Sequence, residues 1–369
     1  MSAAPDPEAI TVSGSGCAPG WTAPASGTPT FQVTNRGRTV LEVDLLGDPH
    51  QEVYAEIEKL APHTSVTLHA TIPPGRYAWK CEGTTDGTDT LSNWLRVTGR
   101  KVAGAHPYVP VNDSQLITAT LAYRQAITGG LAQFATDVDQ LDAAVHAGAG
   151  AGQLSQAQWL AADLQWERLG AAYDTFGTFG TAIAGRPNGL PGGVDDPHFT
   201  GLLRLEYGLW HGQPTSQLAP VADALDASVH QLQAAFPTLQ TTPNTVALRT
   251  HEILENTLQF DLTGQDDYGS HTELAVAWAN VQGTQTALGA IAPLLQLHSK
   301  RVLATVTAGL AHLATLLQGY QRPDGSWTPL TTLTTAQREQ LNGVTGALLE
   351  QLAVVPDLLE LPPTPAAAT

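Results

Sequence analysis

Hydrophobic and polar residues follow a strand-like pattern over the first hundred residues of the chain. Short β-type segments at 30–33, 40–44 and 65–68 are separated by Gly, Pro and Asn at intervals of roughly 8 to 12 residues. That spacing is typical of a β-sandwich, which we predict for residues 1–99. Residues 100–112 contain several Gly and Pro residues, and we assign them to a linker.

The pattern becomes helical after this linker. Apolar residues such as Leu131, Phe134, Val138 and Leu141 recur three and four positions apart, as on the buried side of a helix. We predict an all-α bundle over residues 113–361, so the fold class is α+β with two domains. The predicted helices are 113–147, 154–183, 197–211, 217–235, 243–261, 271–296, 299–320 and 334–355. Residues 362–369 are all Pro, Ala or Thr, which predicts a disordered tail.

The charge of the chain restricts its partners. Its 369 residues carry a formal net charge of −17, and the 17 Lys and Arg are scattered, so a nucleic-acid backbone is not an expected partner. No apolar run approaches the ~20 residues needed to cross a bilayer. The N-terminus lacks the basic start and apolar middle of a signal peptide. Taken literally the chain is cytosolic, but it is equally compatible with a mature exported protein that carries an added initiator Met.

Four motifs occur along the chain in a recognisable order. Pro-Gly-x-Tyr-x-x-x-Cys at 74–81, followed by a loop and a last strand, resembles a cupredoxin. The other three are Trp-Glu-Arg-Leu-Gly-Ala-Ala-Tyr at 166–173, the Gly-rich loop and short helix at 189–212, and His-Glu-Ile-Leu-Glu-Asn with Leu-Thr-Gly-Gln-Asp-Asp-Tyr-Gly-Ser at 251–270. Together they resemble the EfeO family, an extracytoplasmic component of bacterial iron-uptake systems. The resemblance implies a cupredoxin-like β-sandwich followed by an imelysin-like helical bundle.

The resemblance also implies a metal site in the helical domain, and this chain departs from it. The family carries a His-x-x-Glu pair on a helix; here Glu206 is present, but Leu203 occupies the position of the His. Glu167 matches a metal-binding Glu that follows an aromatic residue. A further acid is expected about three turns later, where Thr178 and Gly180 stand. The chain therefore retains two of the four expected ligands.

Two carboxylates alone bind a cation weakly, and they repel each other when no cation is present. Asp163, Asp174 and His211 are candidate substitutes, and we include Asp163 with Glu167 and Glu206 in the predicted site. His211 lies about 140° round the helix from Glu206, which is poor geometry. Arg168 or Arg204 is the candidate neutralising charge if the helical domain holds no metal.

Cys17 and Cys81 are the only cysteines, and both lie in predicted strand ends. An exported chain usually pairs two such cysteines in a disulfide; metal thiolates and free thiols are the alternatives. A blue-copper centre requires two His, a Cys and usually an axial Met, but the loop after Cys81 has no His and the only Met is Met1. The family's alternative is a site of cysteines and acids, which Cys17, Glu42 and Cys81 match best. Solvated acids beside a structural disulfide are the other interpretation.

The segment 251–273 contains further candidates for polar chemistry. His251 and Glu255 are four apart, a workable metal geometry, but we favour a polar core bond for His251 and a helix-dipole role for the acids near the start of a helix. Ser270 and Glu273 match a capping box, which places His271 at the surface. Glu255 stands where a zincin requires its second His, and no Gly-x-Ser-x-Gly motif is present, so a hydrolase is disfavoured.

The resemblance leads to a first functional hypothesis and two alternatives. The first is an exported, non-enzymatic component of an iron-uptake system, peripheral to the membrane, that relays iron to a permease and works beside a haem peroxidase of the dye-decolorising type. Iron is the expected ion, with copper or zinc as alternatives. The second hypothesis is a metal-free scaffold that docks a partner or polymer. The third is a metal-dependent peptidase.

Overall fold

The computed structural model describes residues 7–48, 52–83, 89–105, 107, 111, 113–149 and 152–359. The chain divides into two compact units, and the first ends at Val111. Each unit has its own buried apolar residues. The predicted tail at 362–369 lies outside the described residues, as do several residues of the predicted linker.

The first unit is built from two β-sheets. One sheet has the strand order β2-β1-β3-β6; the other has the order β5-β4-β7-β8, and β9 also pairs with β7. All pairings are antiparallel except that of β1 with β3. The strands are β1 (Glu8–Ser13), β2 (Gly16–Cys17), β3 (Thr30–Asn35), β4 (Leu41–Gly47), β5 (Glu52–Leu60), β6 (Ser65–His69), β7 (Gly75–Gly83), β8 (Asp89–Leu91) and β9 (Leu95–Val97).

Aromatic side chains fill the space between the two sheets. Alternate residues of β3 are buried, as expected for a strand with one face on a core. Its Phe31 meets Trp79 of β7 edge to face at 5.0 Å between ring centroids, and Trp21 meets the same ring at 6.3 Å. These contacts join both sheets into one core, which gives the two-layer arrangement that the sequence pattern predicts.

Cys17 of β2 and Cys81 of β7 form a disulfide across this core. Because both sulfurs are bonded, neither is a thiolate ligand in this structure. Strand register also places the Glu42 side chain away from the two cysteines. In β4, Val43 lies opposite Cys81, whereas Glu42 lies opposite Glu82, and neighbouring residues of a strand point to opposite faces. The predicted site of Cys17, Glu42 and Cys81 is therefore wrong.

The second unit is helical. Its α-helices are α1 (Asp113–Ala144), α2 (Gln153–Glu167), α3 (Tyr173–Phe176), α4 (Thr178–Ala184), α5 (Gly201–Trp210), α6 (Thr215–Ala235), α7 (Pro243–Asn256), α8 (Glu273–His298), α9 (Lys300–Gln318), α10 (Thr335–Leu352) and α11 (Val354–Leu358). Helix α8 contacts α1, α2, α7 and α9, and it is buried on most sides. Its Gly283 lies so close to the backbone of Glu167 that a Cβ would approach a carbonyl oxygen at 3.1 Å. Gly283 thus lets the end of α2 lie against α8.

The predicted continuous helix at 154–183 is wrong. Helix α2 ends at Glu167, a 3₁₀ turn follows at Gly170–Ala172, and α3 and α4 are separated by Gly177. Gly177 has φ +54°, a conformation that glycine adopts without the strain of a side chain. This break turns the chain round the end of α2 and forms one wall of the site described below.

The start of α8 also differs from the prediction. The helix begins at Glu273, Thr272 precedes it, and no side chain caps its first turn. The predicted capping box of Ser270 and Glu273 is therefore wrong. Within the described residues, none of the helices combines the length and apolar character needed to cross a membrane.

Candidate metal-binding site

A cavity of about 510 Å³ lies inside the helical unit and is lined by an excess of acidic residues. We call it the acidic cavity. It lies between α2, α4, α5, α7, the segment 261–273 and the start of α8. Its carboxylates belong to Asp163, Glu167, Asp174, Glu206, Asp261, Asp266, Asp267 and Glu273.

Glu206 is held in the wall of the cavity by backbone donors. It lies on α5 and is only 1% exposed. Its Oε1 accepts hydrogen bonds from the N–H groups of Tyr268 at 3.0 Å and Ser270 at 3.1 Å. These bonds favour the charged form, but burial outweighs them and raises the pKa of Glu206 to about 8. The carboxylate is thus fixed in position yet costly to ionise.

Asp163 and Glu167 face the same cavity from the last turns of α2. They are four residues apart, so the helix places them on one side. Burial raises the pKa of Asp163 well above its usual range, and repulsion from Glu167 and Glu206 adds to the effect. Burial followed by repulsion from Asp266 raises the pKa of Glu167 to about 7. The structure therefore brings together all three acids of the predicted helical site.

Asp261 and Asp266 add two carboxylates that sequence reasoning did not nominate. Asp261 ends a π-helical turn at Thr257–Asp261 after α7, and its Oδ2 accepts a hydrogen bond from Asn280 at 3.1 Å. Burial, then repulsion from Glu167 and Asp266, raises the pKa of Asp261 well above its usual range. The available signal was the acidic run around 261–267, which we used only as a family motif.

Two guanidinium groups line the cavity, and neither is one of the predicted pair. Arg186 Nε donates to both carboxylate oxygens of Asp266 at 2.8 Å. Arg249 donates to the carbonyl oxygen of Gly170 and forms an ion pair with Glu252 at 2.8 Å. Each is therefore already engaged with other groups.

The predicted neutralising residues lie elsewhere. Arg168 donates to Gln282 at 2.8 Å, and Arg204 lies near the ring of Tyr207. Neither lines the cavity, so Arg168 and Arg204 do not neutralise Glu167 and Glu206. The eight carboxyl groups of the cavity therefore outnumber its two guanidinium groups, and a cation entering it would replace protons that these acids hold.

Some of the remaining positions that the sequence analysis considered line the cavity, and others lie outside it. Leu203, Asp174 and Gly180 line the cavity, whereas Thr178 does not. His211 also lies outside it, because its Nδ1 is 2.8 Å from the carbonyl oxygen of Tyr207 and its ring stacks on that side chain. His211 is therefore not a substitute ligand in this geometry.

The half-buried His251 and the exposed Glu255 form a pair outside the cavity, with Nδ1 3.7 Å from Oε2. They lie in the last turns of α7, which ends at Asn256. The prediction that the acids here interact favourably with the start of a helix is therefore wrong, since that end carries the negative pole. Glu252 is instead paired with Arg249.

The central acids surround the cavity rather than converge on one point. Asp163, Glu167 and Glu206 do not form a group in which all ligand atoms lie within 4.8 Å of one another. Asp267, His271 and Glu273 do so at the cavity's edge, where Oε2 of the buried Glu273 has no hydrogen-bond partner. His271 contacts Asp267 at 2.8 Å and is exposed, as predicted. The cavity thus offers oxygen ligands from several sides.

A second acidic group lies in the sandwich. Glu42, Asp44 and Glu56 have ligand atoms within 4.8 Å of one another. Asp44 is 4% exposed, and its Oδ1 has no hydrogen-bond partner. Burial, then repulsion from Glu42 and Glu56, raises its pKa to about 8. Glu42 and Asp44 lie on the face of β4 opposite the disulfide, and Glu56 of β5 is paired with Asp44.

Comparison with known proteins gives consistent matches. The family model Peptidase_M75, Imelysin, matches residues 120–355. The chain is similar to proteins named iron uptake system component EfeO from Escherichia coli O157:H7, Escherichia coli K12 and Shigella flexneri. The identity to each is 28% over 366 aligned residues, and the alignment covers 95% of this chain and 91% of the relative. A crystal structure of an imelysin-like protein from Psychrobacter arcticum 273-4 aligns with 67% of this chain and 96% of its own, at 14% identity and a TM-score of 0.49.

Proposed function

Because the chain belongs to the imelysin family, we propose that it is a metal-binding component of an iron-uptake system, as the EfeO proteins are named. The membership and the similarity over 95% of the chain confirm the resemblance drawn from the sequence motifs. The observation that supports metal binding is the acidic cavity, where Asp163 and Glu206 are buried and the half-buried Glu167 lines the same space. Iron would be the cargo of this site.

The electrostatics of the cavity favour a cation. Buried carboxylates that repel one another resist ionisation, and their raised pKa values express that cost. A bound cation would offset both the burial and the repulsion, so binding should displace protons from these groups. Arg186 and Arg249 do not remove the imbalance, because each already has partners.

The ligand set favours a hard cation. Carboxylate oxygens suit hard ions, whereas imidazole suits zinc, copper and ferrous iron. The family's His position holds Leu203 at the cavity wall. We therefore propose ferric iron as the preferred cargo, with copper and zinc bound less well. Since the acids surround the space rather than converge, the ion would keep part of its hydration or chelate shell.

The sandwich supports an extracytoplasmic setting. We propose a cupredoxin-like domain, with the Cys17–Cys81 disulfide as the feature that suits an oxidising compartment. The domain would not transfer electrons through blue copper, because both sulfurs are bonded to each other. A membrane permease that receives iron, and a haem peroxidase of the same system, are the proposed partners.

The relatives are named as uptake components and not as enzymes. The peptidase name of the family model describes the family and gives no sign of activity in this chain. Among the described residues, no His lines the acidic cavity, so a zincin-type metal site with two His ligands has no counterpart in that part of the chain. We therefore propose a carrier rather than a hydrolase.

Equilibrium binding of ferric citrate and of anaerobic Fe²⁺ tests the proposal. Wild type should bind ferric iron more tightly than roughly 10 μM, and Glu206→Gln and Asp163→Asn should each weaken binding by more than about tenfold, because each removes an anionic ligand. Glu339→Gln, at an exposed position, and Asp137→Asn, at a half-buried one, are matched controls outside the cavity. If wild type binds neither ion, the carrier proposal fails and the metal-free scaffold replaces it. If wild type binds iron and the cavity variants bind it as the controls do, the acidic cavity is not the iron site.

A further inference from the structure

Helices α1 and α6 share a sequence pattern that the acidic cavity does not use. Asp139, Asp142 and His146 follow the spacing Asp-x-x-Asp-x-x-x-His, and Asp223, Asp226 and His230 repeat it. The first pattern ends in the π-helical turn Val145–Ala149 that follows α1. The second lies wholly within α6. None of these six residues lines the acidic cavity.

The two helices pack against each other and run antiparallel. The His of each pattern therefore lies beside an Asp of the other pattern. Nε2 of His146 lies 2.9 Å from Oδ1 of Asp223 and 3.5 Å from Oδ1 of Asp142. On the other helix, Nε2 of His230 lies 2.8 Å from Oδ1 of Asp139 and 3.5 Å from Oδ1 of Asp226. Each histidine thus meets one acid of its own helix and one acid of the facing helix, in the same geometry.

Each triplet offers the mixed ligands of a transition-metal site. In both groups the imidazole nitrogen and the two carboxylate oxygens all lie within 4.8 Å of one another. Three ligands around a tetrahedral zinc ion stand roughly 3.4 Å apart, given metal–ligand bonds of about 2.1 Å. Small side-chain rotations would reach that geometry. The fourth position would remain open, because both sites are at the surface.

The charges of the two triplets are not balanced by the histidines alone. Four aspartates face two imidazoles, and Oδ1 of Asp142 is shielded from solvent without a hydrogen-bond partner. A bound cation would reduce the electrostatic repulsion between carboxylates that lie this close to one another.

We propose that α1 and α6 together bind two divalent transition-metal ions of the zinc type. One ion is held by Asp142, His146 and Asp223, and the other by Asp139, Asp226 and His230. Each ion joins the two helices and keeps one position for water. Each of these sites contains an imidazole, whereas no His of the described residues is among those that line the acidic cavity, so the triplets favour zinc over ferric iron. They are independent of the proposed iron site.

Zinc titration by calorimetry tests this proposal. The double variant His146→Asn/His230→Asn should bind two fewer Zn²⁺ ions per chain than wild type, and each single variant one fewer. The loss at each site should exceed about 100-fold in affinity, since even second-shell changes cost 10–100-fold. His312→Asn is the matched control, because His312 is exposed on α9, away from both triplets.

Cobalt provides a second readout that depends on geometry. Co²⁺ bound to wild type should give the intense visible absorption of a four-coordinate ion, and the double histidine variant should lose it. Glu206→Gln should keep it, which separates these sites from the acidic cavity. Asp139→Asn/Asp223→Asn, which changes one acid of each site, should reproduce the loss if the histidine variant fails to fold. Unchanged zinc stoichiometry in the folded double variants, or no zinc binding by wild type, would overturn the proposal.

Discussion

The sandwich and the helical unit both bury acidic residues, but the two regions arrange them by different rules. In the sandwich, the residues that sequence reasoning grouped were separated by strand pairing, because Glu42 and Cys81 point to opposite faces of one sheet. In the helical unit, Asp163 and Glu167 share one face because they are four apart on α2. Helical spacing therefore predicts directly that two residues of one helix share a face. For residues on two different strands, the same prediction also needs the register in which the strands pair.

The disulfide should produce the largest effect and affect the two units differently. The bridge closes a loop with a sequence separation of 64, for which the chain-entropy model gives about 4 kcal/mol of stability. Cys17→Ser/Cys81→Ser should lower the free energy of unfolding of the sandwich by about that amount, measured by denaturant unfolding. The iron affinity of the helical unit should stay unchanged. A loss of iron affinity would mean that the cysteines act in binding and that the two regions are coupled.

The second effect is a pH dependence in the apo-protein. The pKa of Glu206 is about 8 in the folded protein, above the ~4.5 of an unfolded chain, so the folded state binds the proton more tightly. The stability from this group is fully present below about pH 4.5 and is lost as pH rises to about 8. Glu206→Gln should remove this loss and raise the free energy of unfolding at pH 7 by the order of 3 kcal/mol.

Urea unfolding at pH 5, 7 and 8 measures this effect, with Glu339→Gln as the control at an exposed position. Asp163 and Glu167 shift in the same direction, so some pH dependence should remain in the variant. A variant that is less stable than wild type at pH 8 would show that ionisation of Glu206 does not destabilise the folded protein.

A smaller effect should follow from placing a histidine at position 203, where the sequence resemblance implies one. Leu203 lines the cavity, so Leu203→His should add an imidazole near Glu206 and raise the affinity for Zn²⁺ or Fe²⁺ by about tenfold. Leu121→His, at a side chain that is 60% exposed on α1, is the matched control. Thr178→Asp should give no gain, because Thr178 does not line the cavity. Equal gains from all three variants would contradict the placement of Leu203.

Local patterns in the sequence were enough for the two domains and for most helices. The turn at Gly177 was missed, because the apolar spacing on either side of it continues as in one helix. The cavity's far wall was missed for another reason. Asp261 and Asp266 lie about a hundred residues from Glu167 in sequence, and the packing of α7 and α8 against the end of α2 and the turn after it brings the two segments together. Such contacts are not encoded in periodicity.

The same reasoning explains why the neutralising charges were misassigned. Arg168 is next to Glu167 in sequence, but adjacent residues on a helix point about 100° apart. Arg186 reaches the cavity from the turn after α4 and is paired there with Asp266. Its role depends on the break in the predicted second helix, which the sequence pattern did not reveal.

The most direct test of the acidic cavity is the position of the ion itself. Crystals grown with ferric iron, examined at the iron absorption edge, should show an anomalous peak in the cavity in contact with Glu206 and with Asp163 or Glu167. The peak should be absent from crystals of Glu206→Gln grown under the same conditions. Iron bound only at the α1–α6 triplets or in the sandwich, with an empty acidic cavity, would contradict the account.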